Sequence, residues 1–140
     1  MKTKIKVIAL IPARLNSKRL SKKVILPIEN IPIIIHVYRR ALMSKKINDV
    51  IICCDDKKIY NLAKKFGAKV MLTSKLHQNG TERICEAYKK INRKFDFVVD
   101  IQGDEPLIDP KHIDKVISFH IKNKLTDIIV PNLIVKNKIN

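Results

Sequence analysis

Two stretches of this sequence concentrate residue types that can do chemistry. The first, Ala13-Arg14-Leu15-Asn16-Ser17-Lys18-Arg19-Leu20-Ser21-Lys22-Lys23, carries five cations and no acid. It contains no glycine, so neither a GxGxxG nor a GxxxxGK[ST] phosphate cradle applies. Phosphate would instead be held by side chains. Arg14 and Arg19 offer planar forks for bidentate contact, and Lys23 offers a movable point charge. The second stretch, Asp100-Ile101-Gln102-Gly103-Asp104-Glu105-Pro106, places three carboxylates within six residues of a chain that has only 13 acids. A carboxylate at a strand end opposite a polyphosphate suits Mg²⁺, which takes one or two protein oxygens and the rest from water and phosphate. Asp104 is the metal candidate. Gly103 allows a tight turn or a close ligand approach, Asp100 and Gln102 turn to the same side, and Glu105 is available to a basic partner.

The elements that must position these stretches alternate strand and helix. Strands are expected at Ile5–Ile11, Val50–Cys54, Lys69–Leu72, Phe97–Ile101 and Ile128–Val130, short apolar runs of the kind buried on both faces. Helices are expected over Pro32–Met43, from a cap at Asp55 or Asp56 to Phe66 before Gly67, over Thr81–Asn92 and over Pro110–Asn123. Asp109-Pro110 is the clearest start signal, with Ile113, Val116, Ile117 and His120 or Ile121 on the buried face. The alternation predicts a three-layer, Rossmann-like α/β domain with a mostly parallel sheet, one domain over residues 1–140. In such sheets ligands bind beyond the carboxyl ends of the strands, where strand order reverses. Both reactive stretches follow strands.

Composition bounds the remaining classes. The chain has 29 Lys plus Arg against 13 Asp plus Glu, a formal charge of +16. Of the cations 23 are Lys and 6 Arg, beside 24 Ile and 10 Asn, a bias that looks like an AT-rich coding sequence with Lys as the default surface residue. With 5% aromatics and no Trp the stacking platforms of single-strand binders are absent, so no nucleic-acid partner is expected. No apolar run reaches the ~20 residues of a membrane span, and Met1–Leu10 is too short for a signal peptide, which reads as cytoplasmic with no membrane partner. Three cysteines without a CxxC pair support neither disulfides nor zinc; of the adjacent Cys53 and Cys54, one is expected in the core and the other near the strand exit.

Taken together the motifs resemble a known family. Ile11-Pro12-Ala13-Arg14, Ser17, Arg19-Leu20 and Lys23 resemble the opening signature of CMP-sugar synthetases. His77-Gln78-Asn79-Gly80-Thr81-Glu82-Arg83 and Gln102-Gly103-Asp104-Glu105-Pro106 narrow the resemblance to CMP-Kdo synthetases, the 3-deoxy-manno-octulosonate cytidylyltransferases; the related sialic acid enzymes share only the first motif. The resemblance implies that CTP and the acidic sugar Kdo give CMP-Kdo and pyrophosphate, for lipopolysaccharide or capsule. It implies that Arg14 and Lys23 hold the triphosphate with help from Arg19, and that Asp104 binds Mg²⁺. Ala13, Asp55, Gly80, Thr81, Arg83 and Gln102 would line the nucleotide or sugar pocket, and His77 would orient its loop.

The chain also departs from that pattern. Arg19-Leu20-Ser21-Lys22-Lys23 stands where the family reads Arg-Leu-Pro-Gly-Lys, and Asn30-Ile31-Pro32 where it reads Gly-Lys-Pro, with Asn able to keep a left-handed turn. Cys54 precedes Asp55 where Thr is common. Family members continue past the position of Asn140 with a second metal-binding Asp, most of the sugar pocket and a dimer-forming segment, so the C-terminal part of the fold is expected to be missing. Residues 1–140 would then be a nucleotide-binding portion with little synthesis of its own, its full-length relatives homodimeric. Transfer to another acidic sugar such as a sialic-type acid, and a folded but non-catalytic remnant, are the alternatives.

Overall fold

The computed structural model describes residues 4–132. Strand β1 (Val7–Ala13) lies in the middle of a four-stranded parallel sheet, with β4 (Asp49–Cys54) and then β5 (Val70–Leu72) on one side and β6 (Phe97–Asp100) on the other. The order β5-β4-β1-β6 reverses direction between β1 and β6, and both reactive stretches leave the sheet at that point.

Alternation along the strands builds the two faces. Val7, Ala9, Ile11 and Ala13 of β1, with Val50, Ile52 and Cys54 of β4, meet α1 (Ile33–Leu42), α2 (Lys57–Lys65) and α4 (Pro110–Lys122). Ile8 and Leu10, with Ile51 and Cys53, face Ile84 and Ala87 of α3 (Gly80–Lys90). The expected three-layer arrangement is therefore present, with three helices on one side and one on the other. Cys53 and Cys54 both lie fully buried, one in each core; Cys54 ends β4, at the strand exit as expected, and is there as buried as Cys53. Burial raises both thiols, Cys53 to about 12 and Cys54 to about 11.

Local signals set the boundaries. Of the two candidate caps, Asp56 is the one used: its carboxylate accepts from Lys58 N at 2.7 Å, while Asp55 is left free for another task. Asp109 caps α4 through Lys111 N at 2.8 Å with Pro110 in the first turn. Gly67 follows α2 at φ 74°. In α4, Ile113 and Ile117 are buried, whereas Val116 is only half-buried.

Two features differ from the sequence reading. A two-stranded antiparallel hairpin, β2 (Pro27–Ile28) and β3 (Ile31–Pro32), precedes α1; Glu29 and Asn30 at its tip have φ 49° and 64°, the left-handed pair that a type I′ turn requires. Ile128–Val130 is not a strand. It makes no ladder, and Ile128 and Val130 are 77% and 70% exposed, because a β-branched run becomes a strand only where a partner edge receives it.

Candidate active site

The basic stretch is an exposed loop pinned at its two ends. Leu15 and Val24 are buried, and Lys22 N donates to Leu15 O at 2.9 Å, which closes the loop before a 3₁₀ turn at Lys23–Ile25. That closure puts Lys22 at φ 57°, the position where the resembling family carries glycine. A left-handed non-glycine residue costs about 1–2 kcal/mol, so this chain holds the same turn under strain. Arg14, Lys18 and Arg19 project into solvent, and among the described residues none of them has an ion-pair partner.

The acidic turn folds back over the end of β1. Ile101 continues the ladder by donating to Leu10 O at 3.1 Å, and Glu105 N donates to Gln102 O at 3.3 Å. Gly103 is needed for closeness to the protein itself rather than for a ligand. A Cβ there would stand 2.8 Å from Pro12 O and 3.0 Å from Ile34 Cδ1. Gly80 approaches the same proline from another side, its absent Cβ 3.1 Å from Pro12 Cγ. Two glycines thus let two loops close around the last turn of β1.

Lys23 Nζ reaches Asp104 Oδ2 at 2.9 Å, which joins the two stretches, and both side chains remain accessible. Gln102 is exposed and its amide donates to Asp100 Oδ1 at 3.3 Å, as the expected same-side arrangement requires. Loss of hydration at the sheet end raises the Asp100 carboxyl above its ordinary value. Asp104 fits a hard cation as a single accessible oxygen donor. Among the described residues no cluster of three His, Cys, Asp or Glu forms, so most ligands of such an ion would come from water and phosphate.

The remaining candidates divide. Ala13 is buried in β1, Thr81 is exposed at the start of α3, and Gly80 lies beside Pro12. Arg83 is only 4% exposed; its guanidinium donates to Thr73 Oγ1 at 2.6 Å and Ser74 O at 2.9 Å and lies 3.7 Å from Asp55 Oδ2. Asp55 in turn accepts from Leu15 N at 3.1 Å. Arg83 and Asp55 are therefore brackets between loops, with the guanidinium already spent on protein partners.

Glu86 was not legible as a site residue. Its carboxylate accepts from Lys90 Nζ at 2.6 Å, Ser74 N at 2.9 Å and His77 Nε2. Those contacts, Lys90 foremost, hold its pKa down to about 2 from an ordinary 4.5. The available signal was the Glu82, Glu86, Lys90 spacing, which stacks the three on one face of α3. A depressed carboxyl stabilises the fold fully above its unfolded pKa and loses that contribution as pH falls toward the folded one. The melting-temperature gap between the wild type and Glu86→Gln should therefore be constant above pH 5 and narrow on acidification toward pH 2, on the order of the two limiting pKa values. A gap that persists unchanged at pH 3 contradicts this.

A family model described as cytidylyltransferase matches residues 8–138. The 3-deoxy-manno-octulosonate cytidylyltransferase of Zea mays is 41% identical over 112 residues, 80% of this chain and 38% of that protein. The 8-amino-3,8-dideoxy-manno-octulosonate cytidylyltransferase of Shewanella putrefaciens is 43% identical over 113 residues, 80% of this chain and 46% of that one. A solved structure of CMP:2-keto-3-deoxy-manno-octonic acid synthetase complexed with CTP superposes with a TM-score of 0.81 at 34% identity, covering 85% of this chain and 48% of that one. The chain thus spans less than half the length of these relatives.

Proposed function

Because the chain belongs to the cytidylyltransferase family, we propose that it carries the CTP-binding side of CMP transfer to the anomeric hydroxyl of 3-deoxy-manno-octulosonate, with release of pyrophosphate. The observation that supports this most directly is the Lys23–Asp104 contact at the strand-order reversal. It sets a movable cation and a hard oxygen donor over one spot, at the mouth of a loop whose Arg14 and Arg19 have no ion-pair partner among the described residues. In-line displacement at the α-phosphorus demands little covalent help from protein and much charge neutralisation and positioning.

In this reading Arg14, Arg19 and Lys23 bind the triphosphate and steady the charge that grows on the departing pyrophosphate. Asp104 is the residue that would hold Mg²⁺, which supplies charge neutralisation on the phosphate oxygens when bound. Gly80, Thr81 and Gln102 border the nucleotide, and the buried Ala13 shapes the floor beneath it. Arg83 and Asp55 keep the two loops in place. The reading places the reaction in the cytoplasm, with a product that would serve lipopolysaccharide or capsule assembly. The Shewanella relative supports a second reading for the acceptor, the 8-amino-3,8-dideoxy sugar.

Ligand-dependent melting tests the donor. CTP with Mg²⁺ at 100 times its Kd should add about 2.7 kcal/mol to stability, and double-stranded DNA should not displace it. No shift with CTP, or the same shift with ATP and UTP, would remove the assignment. Pyrophosphate release with each octulosonate in turn separates the two acceptors.

A further inference from the structure

The segment from Thr73 to Asn79 has no regular structure, and its one large apolar side chain, Leu76, is 89% exposed. Burial therefore does little to order it, although fixing each residue costs on the order of 1–2 kcal/mol of backbone entropy. Helix α3 orders it instead. Glu86 takes Ser74 N and His77 Nε2 on one oxygen and Lys90 Nζ on the other. One turn earlier, Glu82 accepts from Gln78 N at 2.9 Å, and Asn79 accepts from Glu82 N at 2.9 Å as the helix cap. Thr81 and His77 share the rim of a hollow of about 520 Å³ with Glu82 and Glu86.

The same segment is tied to the basic loop. Ser74 O and Thr73 Oγ1 hold the buried Arg83 guanidinium, which faces Asp55, and Asp55 receives the N–H of Leu15, the residue after Arg14. The two brackets share only Ser74, whose N–H belongs to Glu86 and whose carbonyl belongs to Arg83; Arg83 also holds Thr73 Oγ1 and faces Asp55, at the start of the phosphate loop, without touching Glu86.

We propose that Glu86 is a positioning residue for nucleotide binding: through Ser74 and His77 it sets the segment that presents Gly80 and Thr81, while the separate Arg83–Asp55 bracket aligns the phosphate loop. The inference rests on CTP being the donor. Its content is a division of labour. Glu86 governs the nucleoside end of the ligand, and Asp55 governs the triphosphate end.

Titration calorimetry of the whole chain with CMP, CTP and inorganic tripolyphosphate reads the two ends separately. Glu86→Gln preserves size and removes the charge that gathers three donors. It should weaken CMP and CTP by about tenfold each, the effect of losing about 1.4 kcal/mol of charge-assisted contact, and leave tripolyphosphate within twofold. Asp55→Asn, which can still accept from Leu15 N but loses the charge facing Arg83, should weaken tripolyphosphate and CTP more than CMP. Equal losses for all three ligands in Glu86→Gln would show a general structural role and overturn the proposal, as would no loss at all. A wild-type chain that binds tripolyphosphate but not CMP removes the nucleoside assignment and this inference with it, and binding of none overturns the proposed function as well.

Discussion

Replacing Lys23 with alanine should lower the affinity for CTP about 30- to 100-fold while leaving the melting temperature nearly unchanged. The two halves of that result follow from where the ammonium sits. Its contact with Asp104 is short, but the side chains are 40% and 46% exposed, and a solvated pair of this kind is worth only about 0–1 kcal/mol to folding. Toward a triphosphate the same ammonium makes charge-assisted bonds worth about 1.5–3 kcal/mol, and its removal also leaves Asp104 as an uncompensated negative charge beside the ligand. Asp104→Asn separates the two contributions by sign. Without metal it should bind CTP a few-fold more tightly, because one repulsive charge is gone and Lys23 is released. With Mg²⁺ it should lose the metal-dependent gain that the wild type shows. Calorimetry in EDTA and in Mg²⁺ reads both arms. Unchanged affinity in Lys23→Ala, or a loss of metal-free affinity in Asp104→Asn, would remove these residues from the phosphate site.

Gly103→Ala should be the most damaging of the three glycine-to-alanine substitutions. The added carbon meets a backbone oxygen of the central strand at 2.8 Å and the fully buried Ile34 at 3.0 Å, and neither can move without disturbing β1 or α1. Overpacking of this sort costs about 1–3 kcal/mol, and for a chain of this size about 3–5 °C of melting temperature accompanies each kcal/mol. The turn would relax by lifting from Pro12, which carries Asp104 away from Lys23, so CTP binding should weaken alongside stability. Gly67→Ala is the informative control. Nothing lies within 4 Å of its Cβ, and only the φ of 74° opposes the substitution. It should cost about 1 kcal/mol by backbone strain alone and leave CTP affinity untouched. Equal effects of the two substitutions on binding would refute the argument from closeness.

Comparing these residues with the sequence shows which signals carry information. Asp109-Pro110 and the run Ile5–Ile11 announced their elements because capping and apolar patterning act over a few neighbours. Lys23 and Asp104 stand 81 residues apart, yet their meeting was legible, since each follows a strand and a parallel sheet gathers its carboxyl ends on one side. The hairpin at Pro27–Pro32 was only half legible: Asn30 stands where the family carries glycine and keeps the left-handed turn, but Glu29, the other central residue, is not of a type that marks such a bend. Asp55 was read as a pocket residue, and its lesser visibility as a bracket has the same cause as that of Glu86: the contact that ties each to a loop is made to a backbone N–H, Leu15 N for Asp55 and Ser74 N for Glu86, and a backbone donor leaves no trace in residue type. Ile128–Val130 failed in the opposite direction. Its side chains favour a strand, but pairing is a property of the neighbour, and none is present among the described residues.

The two buried cysteines make the protein its own reporter of motion. Thiol reagents attack thiolates, and burial denies both access and ionisation to Cys53 and Cys54, while Cys85 lies open on α3. A native sample should therefore titrate one thiol promptly and the denatured chain three. The slow pair is more useful than the count. Cys53 faces the α3 layer and Cys54 the layer of α1, α2 and α4, so each is released by a different partial opening of the molecule. If CTP clasps the loops that rest on α3, it should retard labelling of Cys53 more than that of Cys54, which turns two adjacent residues on one strand into a clock for each face of the sheet.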